Sequence, residues 1–113
     1  MEDKKLQLKK ELEKYLDDKK DFLSYYPDMN ILTSNLYREQ LKDALNDVEN
    51  SKSFALYLDT IIINMHTKAK KYKKSIYFED ENIKDIENQG YTIPFYIDEK
   101  KNHYILLGLI SSH

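Results

Sequence analysis

The chain of 113 residues carries 18 basic and 20 acidic side chains for a formal net charge of −2, with no Cys, no Trp, two Gly and two Pro. That length predicts one domain over residues 1–113, with a core that needs no metal or disulfide staple. The missing cysteines exclude disulfide scaffolds, thiol catalysis, iron–sulfur clusters and Cys-based zinc sites. Two glycines cannot build a phosphate-cradling loop.

The N-terminal segment MEDKKLQLKK lacks an apolar stretch, and no window approaches the roughly 20 apolar residues that span a bilayer, so a soluble, cytoplasmic chain without membrane contact is expected. Lys, Ile, Tyr and Asn make up 46 of the 113 residues while Arg occurs once, at Arg38. All four have A/T-rich codons, and the excess points to an AT-rich genome rather than to chemistry.

From Lys4 to Tyr26, Leu8, Leu12, Tyr15, Phe22 and Tyr26 fall at spacings of four and three, with Lys19 in the missing slot. This predicts a first amphipathic helix that Pro27 stops. A second helix through Leu36, Tyr37, Leu41, Ala44, Leu45 and Val48 has Asn30, Thr33 or Ser34 as N-cap candidates and ends near Asn50. After the break at Asn50–Ser53, a third helix sets Phe54, Leu58, Ile61, Ile62, Met65, Ala69 and Tyr72 on one face. Leu56, Tyr57 and Ile63 cover much of its remainder. A helix apolar nearly all round is expected to be buried, which places Phe54–Met65 at the centre of the fold.

Beyond it the period changes. Ser75–Glu79 reads as a strand, and Ile83–Ile86 as a short helix ended by Gly90. Tyr91, Ile93, Phe95 and Ile97 alternate with Thr92, Pro94, Tyr96 and Asp98 as a half-buried strand, Glu99–Asn102 reads as a hairpin loop, and His103–Ile110 as a returning strand apolar on both faces. Pro94 suggests an edge position for its strand, and the last strand is then central, antiparallel to both the others. The expected fold is α+β: three N-terminal helices on a small three-stranded sheet with a C-terminal β-hairpin, residues 1–74 mainly helical and 75–110 a sheet with one short helix.

Three groups invite a chemical reading. Lys68, Lys70, Lys71, Tyr72, Lys73 and Lys74 combine cations with an aromatic ring, the pairing that neutralises phosphates and stacks on bases, although a lysine run also suits a helix C-terminus or a solvated face. Glu79-Asp80-Glu81 with Asp85, and Asp98-Glu99-Lys100, fit the acidic cluster of a metal-dependent nuclease, but Asp-x-Lys also occurs at Asp3 and Asp18. His66, His103 and His113 show no metal-ligand spacing. The ten tyrosines exceed what one small core holds with its hydroxyls satisfied, so several must reach the surface as contact residues, with the Tyr25-Tyr26 corner and the sheet face bearing Tyr96 as candidate interfaces.

From Ile61 to Ile110, a helix, a basic turn and the runs SIYFED, NIKDIENQGYTIPFYID and KKNHYILLGLI, with Gly90-Tyr91 among them, resemble small accessory proteins of bacteriophages. The resemblance implies a virus-encoded accessory or virion component without enzymatic activity, in the host cytoplasm or the virion, and it identifies no functional residue. The expected function is therefore non-enzymatic protein contact, as a virion or assembly component or an inhibitor of a host protein. No cofactor is expected. Nucleic-acid binding through Lys68–Lys74 is the alternative, and a metal-dependent nuclease the third.

Overall fold

The computed structural model describes residues 2–18, 21–26 and 30–111. The predicted stop at Pro27 and the side chains of Tyr25 and Tyr26 lie outside the described residues. The elements are α1 (Glu2–Leu16), β1 (Leu23–Tyr26), β2 (Ile31–Thr33), α2 (Asn35–Asp47), α3 (Ser51–Ile63), α4 (Met65–Lys68), a 3-10 turn (Ala69–Lys71), β3 (Lys73–Lys74), β4 (Ile83–Asn88), β5 (Tyr91–Asp98), β6 (His103–Leu106) and β7 (Ile110–Ser111). The class is α+β. The sheet is mixed and larger than the three strands the sequence suggests, in the order β1-β2-β6-β5-β4-β3 with β7 also on β5. None of the helices is long and apolar enough to cross a membrane.

Helices cover both faces of the sheet. On one side Tyr37 and Ala44 of α2, Phe54, Leu58 and Ile62 of α3, and Met65 meet Ile31, Ile86, Ile93, Phe95, Ile97 and Leu106. On the other, Leu8 and Tyr15 of α1 meet Ile83, Ile105, Leu107 and Ile110. Burial on both faces is why β6 is apolar on successive residues. The last strand is central, as its pattern predicts, but its neighbours are β5, antiparallel, and β2, parallel, rather than Ser75–Glu79.

Five further expectations are corrected. The first helix stops at Leu16, because Asp18 turns the chain with φ 57°. Leu23–Tyr26 then becomes strand β1, and the charge at Lys19 in the apolar stripe is the trace of that break. Ser75–Glu79 is loop rather than strand: the ladder passes from β3 only as far as the Ser75 N–H to Ile83 O bond (2.8 Å), after which Asp85 Oδ2 accepts the Ile76 N–H (3.0 Å) and turns the chain out. Ile83–Ile86 is the start of β4 rather than a helix. Pairing along β5 overrides its helical spacing, and Gln89 (φ 50°) and Gly90 (φ 83°) form the two-residue turn between them. Gly90 supplies the positive φ that a helix end would also have used.

Pro94 lies inside the sheet, not at its edge. It faces the interruption at 107–109, where Ile93 and Pro94 lie opposite Leu107, Gly108 and Leu109 between β6 and β7. Its carbonyl accepts the Leu107 N–H (2.9 Å), and the missing Pro N–H falls where the ladder is already broken. The Leu109 N–H freed there is accepted by Gln40 Oε1 of α2 (2.7 Å). The hairpin of β5 and β6 across 99–102 forms as the spacing predicts.

The fifth correction concerns α3. Phe54, Leu58, Ile62 and Met65 are buried as expected, but Leu56, Tyr57 and Ile63 are 67%, 56% and 42% exposed. Asn50 caps the helix by accepting the Ser53 N–H (3.2 Å), and Ser34 caps α2 by accepting the Tyr37 N–H (2.9 Å).

Candidate protein-interaction face

With Leu58 and Ile62 held against the sheet, the 3.6-residue period puts Ser53, Leu56, Tyr57, Thr60, Ile63, Asn64 and Thr67 on the outer face of α3 and its continuation into α4. All seven are exposed. None is charged, in a chain where 34% of residues are. Depletion of charge with retention of aromatic and aliphatic surface distinguishes the middle of a protein interface from ordinary surface.

Three of the polar residues on this face bond back into the helix. The Thr60 hydroxyl donates to Leu56 O (2.9 Å), the Asn64 amide to Thr60 O (2.9 Å) and the Thr67 hydroxyl to Asn64 O (2.9 Å). These donors already have partners within the helix, so covering the face leaves them satisfied and presents methyl and methylene groups outward.

The Lys68–Lys74 segment lies at the C-terminal end of this face. Lys71, Tyr72, Lys73 and Lys74 line a groove of about 360 Å³ with Ile76, Asp85 and Glu87. Tyr72 packs edge-on against Phe95 with centroids 5.8 Å apart, and burial pushes its hydroxyl pKa up. It is half-buried and engaged in the core, which removes the free stacking ring the nucleic-acid reading needs. Lys70 is 3.3 Å from Glu99. Asp85 is buried at the groove floor, and desolvation raises its pKa against the lowering effect of the Ile76 N–H and the Ser75 hydroxyl; its Oδ1 lacks a hydrogen-bond partner. Two carboxylates in the groove oppose a phosphate chain.

Tyr96 is half-buried, because α1 lies over the sheet face that carries it. Its ring meets Tyr15 at 6.1 Å, beside a cleft of about 430 Å³ that both line with Asp98 and Lys101. The Tyr15 hydroxyl donates to Asp98 Oδ2 (2.6 Å) and lies 3.0 Å from His103 Nδ1, and the Lys101 N–H donates to Asp98 Oδ1 (3.2 Å). Burial, then the Asp98 hydrogen bond, push the Tyr15 hydroxyl far above the usual tyrosine range. Burial works against the Asp98 charge, but the Tyr15 hydroxyl, the Lys101 N–H and the nearby cations hold its pKa below the usual carboxylate range. Asp98, the acidic member of the Asp-x-Lys element, thus fastens the hairpin to α1. Among the described residues no three carboxylates or histidines gather in a metal-ligating group.

Glu11, which the sequence does not single out, is buried on α1, and its Oε1 accepts the Leu36 N–H (2.9 Å) at the N-terminus of α2. The signal for the α3 face is present in the sequence as Leu56, Tyr57 and Ile63 on a helix whose other side already fills the core. Apolarity all round reads there as burial, and the structure leaves that second side exposed. Comparison with protein-family models, curated proteins and solved structures found no match to this chain.

Proposed function

We propose that the protein acts without catalysis, through a protein contact on the outer face of α3. The observation that carries this reading is the uncharged stripe from Ser53 to Thr67, with Leu56, Tyr57 and Ile63 exposed and donors of Thr60, Asn64 and Thr67 bonded back into the helix. A virion or assembly component and an inhibitor of a host protein are the two roles such a surface fits, in keeping with the phage-accessory style of the C-terminal half. The lysine groove supports nucleic-acid binding less well, because Tyr72 is packed on Phe95 and Asp85 and Glu87 share the groove.

The test is affinity capture from an extract of the cells that express the protein, with the wild type and a Leu56→Glu/Ile63→Glu variant whose circular dichroism matches it. The reading predicts a protein retained by the wild type and lost with the variant. Equal retention by both, or none by a strictly monomeric wild type, refutes it.

A further inference from the structure

We infer that the occupant of the α3 face is a second copy of the same chain, paired antiparallel about a two-fold axis near Thr60; this rests on the protein-contact reading above. The first argument is register. From Ser51 to Ile63 α3 is about 20 Å long at 1.5 Å per residue, and α4 carries the face on after Asn64. Pairing it with itself about Thr60 sets Tyr57 against Ile63, Leu56 against Asn64 and Ser53 against Thr67, each contact occurring twice. The small Thr60, its hydroxyl already donated to Leu56 O, sits at the crossing point, where helices approach most closely.

The second argument is charge. Residues 47–53, which end α2 and open α3, carry Asp47 and Glu49 against one cation, Lys52. Residues 64–74, at the other end, carry five lysines and no acid. A parallel pairing would set like against like. The antiparallel one brings Glu49, in the turn before α3, near Lys71, in the 3-10 turn after α4 of the other copy, on both sides of the axis. Lys52 and Lys68 of the other copy also meet, and this like-charge contact offsets part of the gain. The lysine cluster thus finds a use as the electrostatic half of a self-complementary contact.

A single helix pair covers less than the roughly 800 Å² per partner of a standard interface, so association in the micromolar range is expected. Sedimentation velocity at low salt, from about 1 to about 200 µM, should show the monomer converting to a dimer. Glu49→Lys and Lys71→Glu should each weaken the dimer roughly tenfold, since each places like charges on both sides of the axis, and the chain carrying both should recover to within about threefold of the wild type. A wild type that stays monomeric throughout overturns the inference, as does a double variant no tighter than the single ones. A monomer that still captures a protein from extract through Leu56 and Ile63 sinks self-pairing alone; a monomer that captures nothing sinks both readings.

Discussion

Gly108 sits where α1, α2 and the interrupted strand converge, and Gly108→Ala tests that junction. A Cβ there would lie 2.7 Å from Leu8 Cδ2, 2.9 Å from Gln40 Oε1 and 3.7 Å from Leu36 Cδ2. The first two distances are shorter than real contacts permit. Neither neighbour yields freely, because Leu8 is fully buried between α1 and the sheet, and Gln40 Oε1 holds the Leu109 N–H at 2.7 Å. Overpacking a core costs about 1–3 kcal/mol, and displacing Gln40 would strand a buried N–H at about 1–3 kcal/mol more. The two strains relax together, so the loss expected is about 2–4 kcal/mol. Urea unfolding followed by circular dichroism should show a midpoint lower by roughly 1–2 M, for a slope near 2 kcal/mol/M. The mechanism also predicts non-additivity: Gly108→Ala should cost clearly less in a Gln40→Ala background, where one clash and the bond it threatens are already gone. A Gly108→Ala variant within about 0.5 kcal/mol of the wild type, or strict additivity with Gln40→Ala, would refute the packing described for this junction.

The remaining predictions concern the polar groups. Tyr15→Phe should lose about 1–2 kcal/mol at pH 7 in urea unfolding, because the hydroxyl donates to the Asp98 carboxylate. Since the folded Asp98 pKa is depressed, its contribution is present above the unfolded carboxylate pKa and disappears as pH falls through the folded one, so the deficit should shrink toward about pH 3; a constant deficit contradicts the assignment. Asp85 has the opposite sign. Its folded pKa is raised chiefly by desolvation, so its charge opposes folding at neutral pH, and acidification through the folded pKa relieves that. Asp85→Asn, which keeps an acceptor for the Ile76 N–H, should therefore melt at or above the wild-type temperature at pH 7, and above Asp85→Ala; the reverse ranking counts against it. Glu11→Ala should lose about 1–2 kcal/mol by uncapping the start of α2, measured by the same unfolding experiment, and an unchanged stability would remove that role. Replacing Lys71, Lys73 and Lys74 with Glu should leave elution from single-stranded DNA resin unchanged at moderate salt, and retention that the substitutions abolish would instead favour the nucleic-acid reading.

Local patterns are readable where one residue type dictates one geometry. Ser34 and Asn50 mark helix starts because their side chains cap, and the alternation of Tyr91–Asp98 reveals a strand, although helices on both faces bury Thr92–Phe95 in succession rather than leaving the strand half-buried. Ile83–Ile86 misleads because two isoleucines three apart suit a helix face equally well, and only pairing with Ile93 and Tyr96 across the turn decides for a strand. β1 and β2 escape a sequence reading because Ile31–Thr33 is too short to show a period and is defined by a partner, β6, near the other end of the chain. Pro94 misleads because its tolerance depends on a break in the neighbouring strand, which no local pattern reveals. The α3 stripe is visible as apolar residues, but its exposure emerges only once the sheet has enough helical cover from α2, α3 and α4 on that side. The inward-turned donors of Thr60, Asn64 and Thr67 are a matter of rotamer, beyond the reach of sequence.

The chain has no cysteine, so one introduced on the α3 face is a unique reporter of whether that face is occupied. Thr60→Cys should alkylate rapidly in dilute pure protein and become protected as protein concentration or cell extract is raised, while Lys10→Cys on α1 reacts at an unchanged rate throughout. Labelling of the Thr60→Cys thiol that stays as fast as the α1 control under every condition would contradict the claim that the outer face of α3 is where this protein makes its contact.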